Sequence, residues 1–141
     1  MTTWTPNRSP VAAPHVHGRA NVPQVMRTVL LALLPATATG VWLFGWPALN
    51  TVLLAIAGCV AAEAAALAIG RRPVGHTLAD GSAVVTGLVL ALCLPPWAPW
   101  WVPLLGGALA FVVGKQVFGG LGPNLLNTAM LARVALLVSF P

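Results

Sequence analysis

The chain has 141 residues, of which 58% are hydrophobic and only 6% are charged, and its mean hydropathy is +0.88. Ordinary globular domains carry about a quarter charged residues, so this composition excludes a soluble domain and indicates an integral membrane protein. The net charge of +5 comes from seven basic and two acidic residues, which are too few to form a nucleic-acid binding surface.

The first 25 residues are polar and rich in proline and threonine, lack helical periodicity, and predict a tail outside the bilayer. Five apolar segments follow this tail, and a membrane-spanning helix needs about 20 residues. The segments cover residues 27–46, 49–69, 80–94, 97–118 and 124–140. The sequence therefore predicts an all-α integral membrane domain over residues 26–141, with about five transmembrane helices.

Small residues and prolines set the packing and the ends of these predicted helices. Gly58 and Ala62 form a small-x-x-x-small surface on the second helix, which suits close helix packing in lipid. Pro95 and Pro96 end the third helix, because proline lacks the backbone N–H and clashes with the preceding turn. An interfacial aromatic belt follows these prolines, at Trp97, Trp100 and Trp101.

Six of the seven basic residues lie at alternate ends of the predicted helices: Arg8, Arg19 and Arg27 precede the first, Arg71 and Arg72 separate the second and third, and Lys115 closes the fourth. The remaining connections, residues 45–47 and 95–101, carry no charge. Cytoplasmic flanks of membrane proteins are enriched in lysine and arginine. The pattern therefore predicts that the N-terminus is cytoplasmic.

A polar interruption between the fourth and fifth segments is the first candidate for a ligand site. Residues 119–127 hold three glycines, a proline and two asparagines, and irregular backbone in a membrane is tolerated mainly where protein or a cavity shields it. Asn124 and Asn127 are spaced i, i+3 at the predicted start of the fifth helix, so both amides face one way beside free backbone N–H groups. A glycine turn with an asparagine cap explains the same spacing, and both interpretations stay open.

A second polar segment begins at Asp80, which is placed to cap the third helix. Ser82 and Thr86 follow at i, i+4 spacing and share one face of that helix. Hydroxyls bonded to their own helix backbone would give the same pattern. By the charge count, both polar segments lie on the cytoplasmic side, where they could frame one site.

Glu63 and Arg133 fall within predicted spans, where an ionisable residue costs roughly 2.5–3.5 kcal/mol on insertion scales. We consider them, together with Asp80, candidates for an ion path. Arg133 lies deeper, and we expect it to pair with Glu63, with another subunit or with an anionic cofactor. Cys59 and Cys93 lack the paired spacing of metal ligands, so no metal site is predicted.

Several motifs, taken in chain order, resemble those of RnfD, a membrane subunit of the Rnf ion-translocating electron transport complex that is related to NqrB of the sodium-pumping NADH:quinone oxidoreductase. They are Pro14-His15-Val16-His17, residues 25–36, Asp80-Gly81-Ser82-Ala83, Leu94-Pro95-Pro96 and residues 114–127. The resemblance implies a flavoprotein subunit of a bacterial inner-membrane oxidoreductase that couples electron transfer to Na⁺ or H⁺ movement. Its implied partners are the other membrane, iron–sulfur and FMN subunits.

The resemblance also implies half of a ten-helix bundle and two flavin sites. Covalent FMN is attached to threonine in an S/T-G-A-T motif, which is expected beyond Pro141, so this chain alone is not expected to be active. The second site holds riboflavin non-covalently, and its carried-over residues are Asn124, Asn127, Thr86, Gly120 and Gly122. Half of a secondary transporter or channel and a ligand-free membrane scaffold are the alternatives.

Overall fold

The computed structural model describes residues 22–71, 79–113 and 127–140. The described chain forms the helices α1 Val22–Phe44, α2 Trp46–Ile69, α3 Ser82–Cys93, α4 Trp101–Phe111 and α5 Thr128–Ser139. Within these ranges all regular secondary structure is helical. The predicted all-α class is confirmed there.

Two of the described helices are long and apolar enough to cross a membrane, with mean hydropathies of 1.4 for Pro23–Phe44 and 2.3 for Trp46–Ile69. The other three have 12, 11 and 12 residues, which corresponds to about 17–18 Å each at ~1.5 Å per residue. A hydrocarbon core is about 30 Å thick. The structure thus supports two spans by length and hydropathy, and the count of five stays a prediction.

The helix boundaries differ from the predicted ones where glycine or proline sets the backbone. Helix α1 begins at Val22 rather than at residue 27, because Pro23 lies in the first turn, where a missing N–H costs nothing. Residues 97–100 form turns instead of the start of α4, with Ala98 N donating to Pro95 O at 3.1 Å. The predicted continuation of α4 beyond residue 113 lies outside the described residues.

A single glycine connects α1 to α2. Gly45 has φ 70° and ψ −145°, a combination that is essentially restricted to glycine. Pro47 follows in the first turn of α2. Helix α1 returns alongside α2, so that Met26 near its start lies 3.9 Å from where a Cβ on Gly81 would be. We call the two ends of this bundle the Trp46 end and the Gly70 end.

Helix α2 packs against both α3 and α4 through glycines, without side chains between the backbones. A Cβ on Gly107 of α4 would lie 2.6 Å from Cys59 N and 2.7 Å from Gly58 C, and a Cβ on Gly87 of α3 would lie 2.7 Å from Ile56 Cα. This confirms the close-packing surface predicted at Gly58. Backbone contact of this kind is how small residues hold membrane helices together without a hydrophobic driving force.

Helix α5 completes the bundle by packing its alanines against α3 and α4. Leu90, Ala110, Ala129 and Ala132 form one buried cluster. The opposite side of α5 is apolar and exposed, including Val134 and Val138. An exposed apolar face on a helix is what a lipid-facing surface requires, so α5 agrees with a membrane setting.

Candidate functional site

Thr86, predicted to bind a ligand, uses its hydroxyl proton within its own helix. The Thr86 hydroxyl donates to the Ser82 carbonyl at 2.9 Å, which is the back-bonded arrangement given as the alternative above. Asp80 does not cap α3: Gly81 occupies the capping position at φ 73° and the helix has no side-chain cap bond. The predicted cap is wrong because Gly81 adopts a left-handed conformation between Asp80 and the helix.

Asn127 is the N-cap of α5, and its side-chain oxygen accepts a hydrogen bond from Ala129 N at 3.1 Å. The helix therefore begins at Thr128, after Asn127, and the capping interpretation is confirmed for this residue. Asn124, Gly120 and Gly122 lie outside the described residues, so their predicted roles stay predictions.

The fold places Thr86 and Asn127 on the same side of the contact between α3 and α5. Leu90 of α3 belongs to the same buried cluster as Ala129 of α5, and Cys93 further along α3 contacts Met130. Thr86 lies one turn before Leu90, and Asn127 lies two residues before Ala129. Both side chains therefore lie on the Gly70 side of the contact between α3 and α5.

Glu63 and Arg133 lie at opposite ends of α3. Glu63 is 2% exposed and lies one turn beyond Cys59, which clusters with Ala83 near the start of α3. Arg133 instead donates through Nη1 to the carbonyl of Cys93, the last residue of α3. Because about 17 Å of helix separates these positions, the two residues do not form the predicted direct pair. Pairing of Arg133 with a subunit or an anionic cofactor stays a prediction.

The two prolines after α3 reduce the number of backbone donors at the end of that helix, where Arg133 also donates. The last carbonyls of a helix need donors from outside it, and in continued helix those of Ala91 and Leu92 would pair with residues 95 and 96, which have no N–H. The Leu94 N–H bonds back to Leu90 O and Ala91 O at 3.1 and 3.2 Å. Arg133 donates to the Cys93 carbonyl, two residues further along, at the end of the helix that carries partial negative charge.

A cavity of about 420 Å³ lies beside Arg133, between the Pro95–Pro99 turns, the start of α4 and α5. Its lining is Cys93, Leu94, Pro95, Trp97, Ala98, Pro99, Trp101, Val102, Arg133, Leu136, Leu137 and Phe140. Trp101 and Phe140 meet edge to face, with ring centroids 5.0 Å apart. Among the described residues of this lining Arg133 is the one with a charged side chain, so this part of the chain forms an apolar, aromatic pocket with a single cation.

Thr51, which the sequence reasoning missed, holds the same turns from the side of α2. Thr51 is 3% exposed, and its hydroxyl oxygen lies 3.0 Å from Pro47 O and 3.3 Å from Pro96 O. A lone hydroxyl inside an apolar run, one turn after a proline, was the available signal. The single hydroxyl proton of Thr51 is shared between these two carbonyls, so Thr51 and Arg133 each bring a donor to one carbonyl, of Pro96 and of Cys93, at a segment whose prolines have no N–H groups.

Comparison with known proteins shows which family the chain belongs to and which proteins it is similar to. Residues 10–141 match the sequence profile of the NQR2, RnfD, RnfE family. The D subunit of the ion-translocating oxidoreductase complex of Halorhodospira halophila is 57% identical over 131 residues, which are 93% of this chain and 37% of that protein. The proteins of the same name from Stutzerimonas stutzeri and Rhodobacter capsulatus are 54% and 46% identical over 87% and 94% of this chain, and 34% and 37% of their own length. The chain spans about a third of the length of these curated relatives.

Proposed function

Because this chain belongs to the NQR2, RnfD, RnfE family, we propose that it serves as the RnfD-type membrane component of an ion-translocating oxidoreductase complex. The observation that carries the proposal is 57% identity over 93% of the chain to a protein named for that component. The family also agrees with the resemblance that the motifs indicated. In this role the chain works in a bacterial inner membrane beside the other subunits of the complex, with electron transfer coupled to Na⁺ or H⁺ movement.

The charges on the described helices support a cytoplasmic N-terminus in this proposal. Arg27, near the start of α1, and Arg71, after α2, are both exposed and lie at the Gly70 end. The described connections at the Trp46 end, Gly45 and residues 94–100, carry no charge. Under the positive-inside rule, the Gly70 end faces the cytoplasm, and the Arg133 cavity faces the opposite side of the membrane.

The cofactor that we propose for this chain is a flavin bound near Thr86 and Asn127. The Thr86 hydroxyl proton is used on Ser82, which leaves the oxygen as an acceptor, and Asn127 uses its oxygen on Ala129, which leaves its NH₂ group as a donor. One acceptor and one donor on the same side of the contact between α3 and α5 suit the edge of a flavin ring, which alternates carbonyls with an N–H. A bound flavin would supply one- or two-electron transfer, while the chain would bind and orient the ring.

Membership in an oxidoreductase complex is tested by tagging the chromosomal gene for this chain and purifying its product from native membranes in mild detergent. We expect other oxidoreductase subunits to copurify, and we expect the absorbance and fluorescence of flavin in the purified material. Acid precipitation then separates flavin that is released from flavin that stays covalently attached. A colourless product that copurifies with no redox subunit would refute this function.

The residues of the flavin site are tested by Asn127→Asp, which keeps the capping oxygen and removes the NH₂ donor. We expect α5 to stay folded, since aspartate caps as well as asparagine, while the amount of acid-released flavin falls. Asn50→Asp is the matched control, because Asn50 is also exposed but lies near the Trp46 end. Equal flavin content in the two variants would argue against a site at Asn127.

A further inference from the structure

In the described ranges, the cavity beside Arg133 has an apolar wall, one cation and no acidic side chain. Its volume of about 420 Å³ lies within the range of roughly 300–1,000 Å³ for small-molecule sites. An ionised side chain at membrane depth is costly and is normally paired. Here the described partner is the Cys93 carbonyl, which is a dipole and carries no net charge.

The guanidinium keeps binding capacity after that bond is made. Arginine presents five N–H donors in a planar fork, and one Nη1 donor of Arg133 is used on Cys93. The partial negative charge at a helix C-terminus is only about half an elementary charge, so positive charge remains. Such a fork matches the paired oxygens of a phosphate or a carboxylate.

The rest of the lining fits an apolar body attached to that anion. Trp101 and Phe140 form one aromatic wall, and Trp97 is 74% exposed beside them. Phe140 lies seven residues beyond Arg133, about 10 Å along the chain direction of α5. The cavity therefore extends from the cation past aromatic rings that could pack on an apolar group.

We propose that this cavity binds an amphiphilic anion, with its phosphate or carboxylate on Arg133 and its apolar body against Trp97, Trp101 and Phe140. Such a ligand could come from the membrane as an anionic lipid, or from solution as an aromatic phosphate. The chemistry that the cavity recognises is the same in both cases. The experiment must therefore contain one arm for each source.

The full chain, purified in a neutral detergent, is titrated separately with dioleoylphosphatidylglycerol, with zwitterionic dioleoylphosphatidylcholine and with 1-naphthyl phosphate. Binding is read from the thermal unfolding temperature and from tryptophan fluorescence. We expect a saturable rise in unfolding temperature with phosphatidylglycerol or with naphthyl phosphate, and none with phosphatidylcholine. A response to the lipid alone identifies a lipid source, and a response to the soluble phosphate alone identifies a soluble one. No saturable response to either anion overturns the proposal.

Two variants locate the response at the cavity. Arg133→Met removes the charge, and Leu137→Trp fills the cavity from a side chain that is 55% exposed while leaving Arg133 in place. Arg133→Met should weaken binding by about tenfold or more, the effect of losing a hydrogen bond to a charged group. Leu137→Trp should also weaken binding, because the larger side chain occupies the space of the apolar body. The matched controls are Arg71→Met at the Gly70 end and Leu43→Trp on α1, where Leu43 is 73% exposed.

The controls should bind like the unchanged protein. If Arg133→Met fails to fold because the Cys93 carbonyl loses its donor, the comparison of Leu137→Trp with Leu43→Trp decides the question. A folded Leu137→Trp variant that binds either anion with unchanged affinity overturns the proposal, as does a folded Arg133→Met variant with that property.

Discussion

Gly107→Ala should destabilise the helix bundle although it places a better helix former in α4. The new Cβ would lie 2.6 Å from Cys59 N and 2.7 Å from Gly58 C, whereas non-bonded carbon atoms prefer about 3.5–4.0 Å. Helices α2 and α4 would therefore have to separate by about 1 Å. Both obstructing atoms belong to the backbone, so a change of side-chain rotamer cannot relieve the contact.

The expected change in the free energy of unfolding is the difference between two opposing effects. Overpacking a close contact costs about 1–3 kcal/mol, and replacing glycine by alanine within a helix returns up to about 1 kcal/mol. We expect a net loss of about 1–2 kcal/mol, which raises the unfolding equilibrium constant by roughly 5–30-fold. Gly58→Ala would disturb the same interface, because its Cβ would lie 2.9 Å from Leu104 O. The double variant should lose less than the sum of the two, since the first alanine already separates the helices.

The assay is reversible unfolding in mixed micelles with increasing dodecyl sulfate, followed by far-ultraviolet circular dichroism. Gly40→Ala is the matched control, because Gly40 also lies within a helix but a Cβ there would have no atom within 4 Å. Its stability should be unchanged or slightly raised. If Gly107→Ala and Gly40→Ala unfolded at the same dodecyl sulfate fraction, the backbone contact would not carry the packing of α2 and α4.

Three smaller changes test other parts of the structure by the same unfolding assay. Asn127→Ala should lower the free energy of unfolding by about 0.5–2 kcal/mol, because the Ala129 N–H loses its cap. Asn127→Ser should keep most of that stability, since serine also caps. Equal losses in the two variants would show that the cap contributes nothing. Thr51→Val should cost about 1 kcal/mol by removing the donor near Pro96, whereas Thr51→Ser retains that donor; no difference between them would contradict the role of the hydroxyl. Gly45→Ala should cost about 1–3 kcal/mol, since its backbone conformation is strained for any residue with a Cβ; an unchanged midpoint would contradict this.

Features that depend on neighbours along the chain could be predicted from the sequence. Apolar length predicted α2, and Pro95 with Pro96 predicted the end of α3. The spacing of Gly58 and Ala62 predicted close packing, and the asparagine cap at Asn127 was one of two stated alternatives. Each of these depends on backbone geometry or on one helix face, which a short stretch of sequence determines.

Features that depend on distant contacts could not be predicted in this way. Arg133 bonds to a residue 40 positions away, and Thr51 reaches a carbonyl 45 positions away. Charge alone favoured Glu63 as the partner of Arg133, because carbonyl groups are not visible as acceptors in a sequence. Pro95 and Pro96 do indicate that the end of α3 lacks two backbone donors, but the sequence does not show which side chain donates there or to which carbonyl.

The glycine contacts on α2 also determine which movements the bundle permits. Backbone lies against backbone where Gly58 of α2 meets α4 and where Gly87 of α3 meets α2. Rotating α2 about its axis would therefore bring Cβ atoms of its other residues against the main chains of α3 and α4. These three helices are therefore locked in rotation and should move as a stiff block. Helix α1 has no buried residue in its described spanning stretch and joins α2 through Gly45, so we expect α1 to shift relative to this block more easily than the three helices shift among themselves.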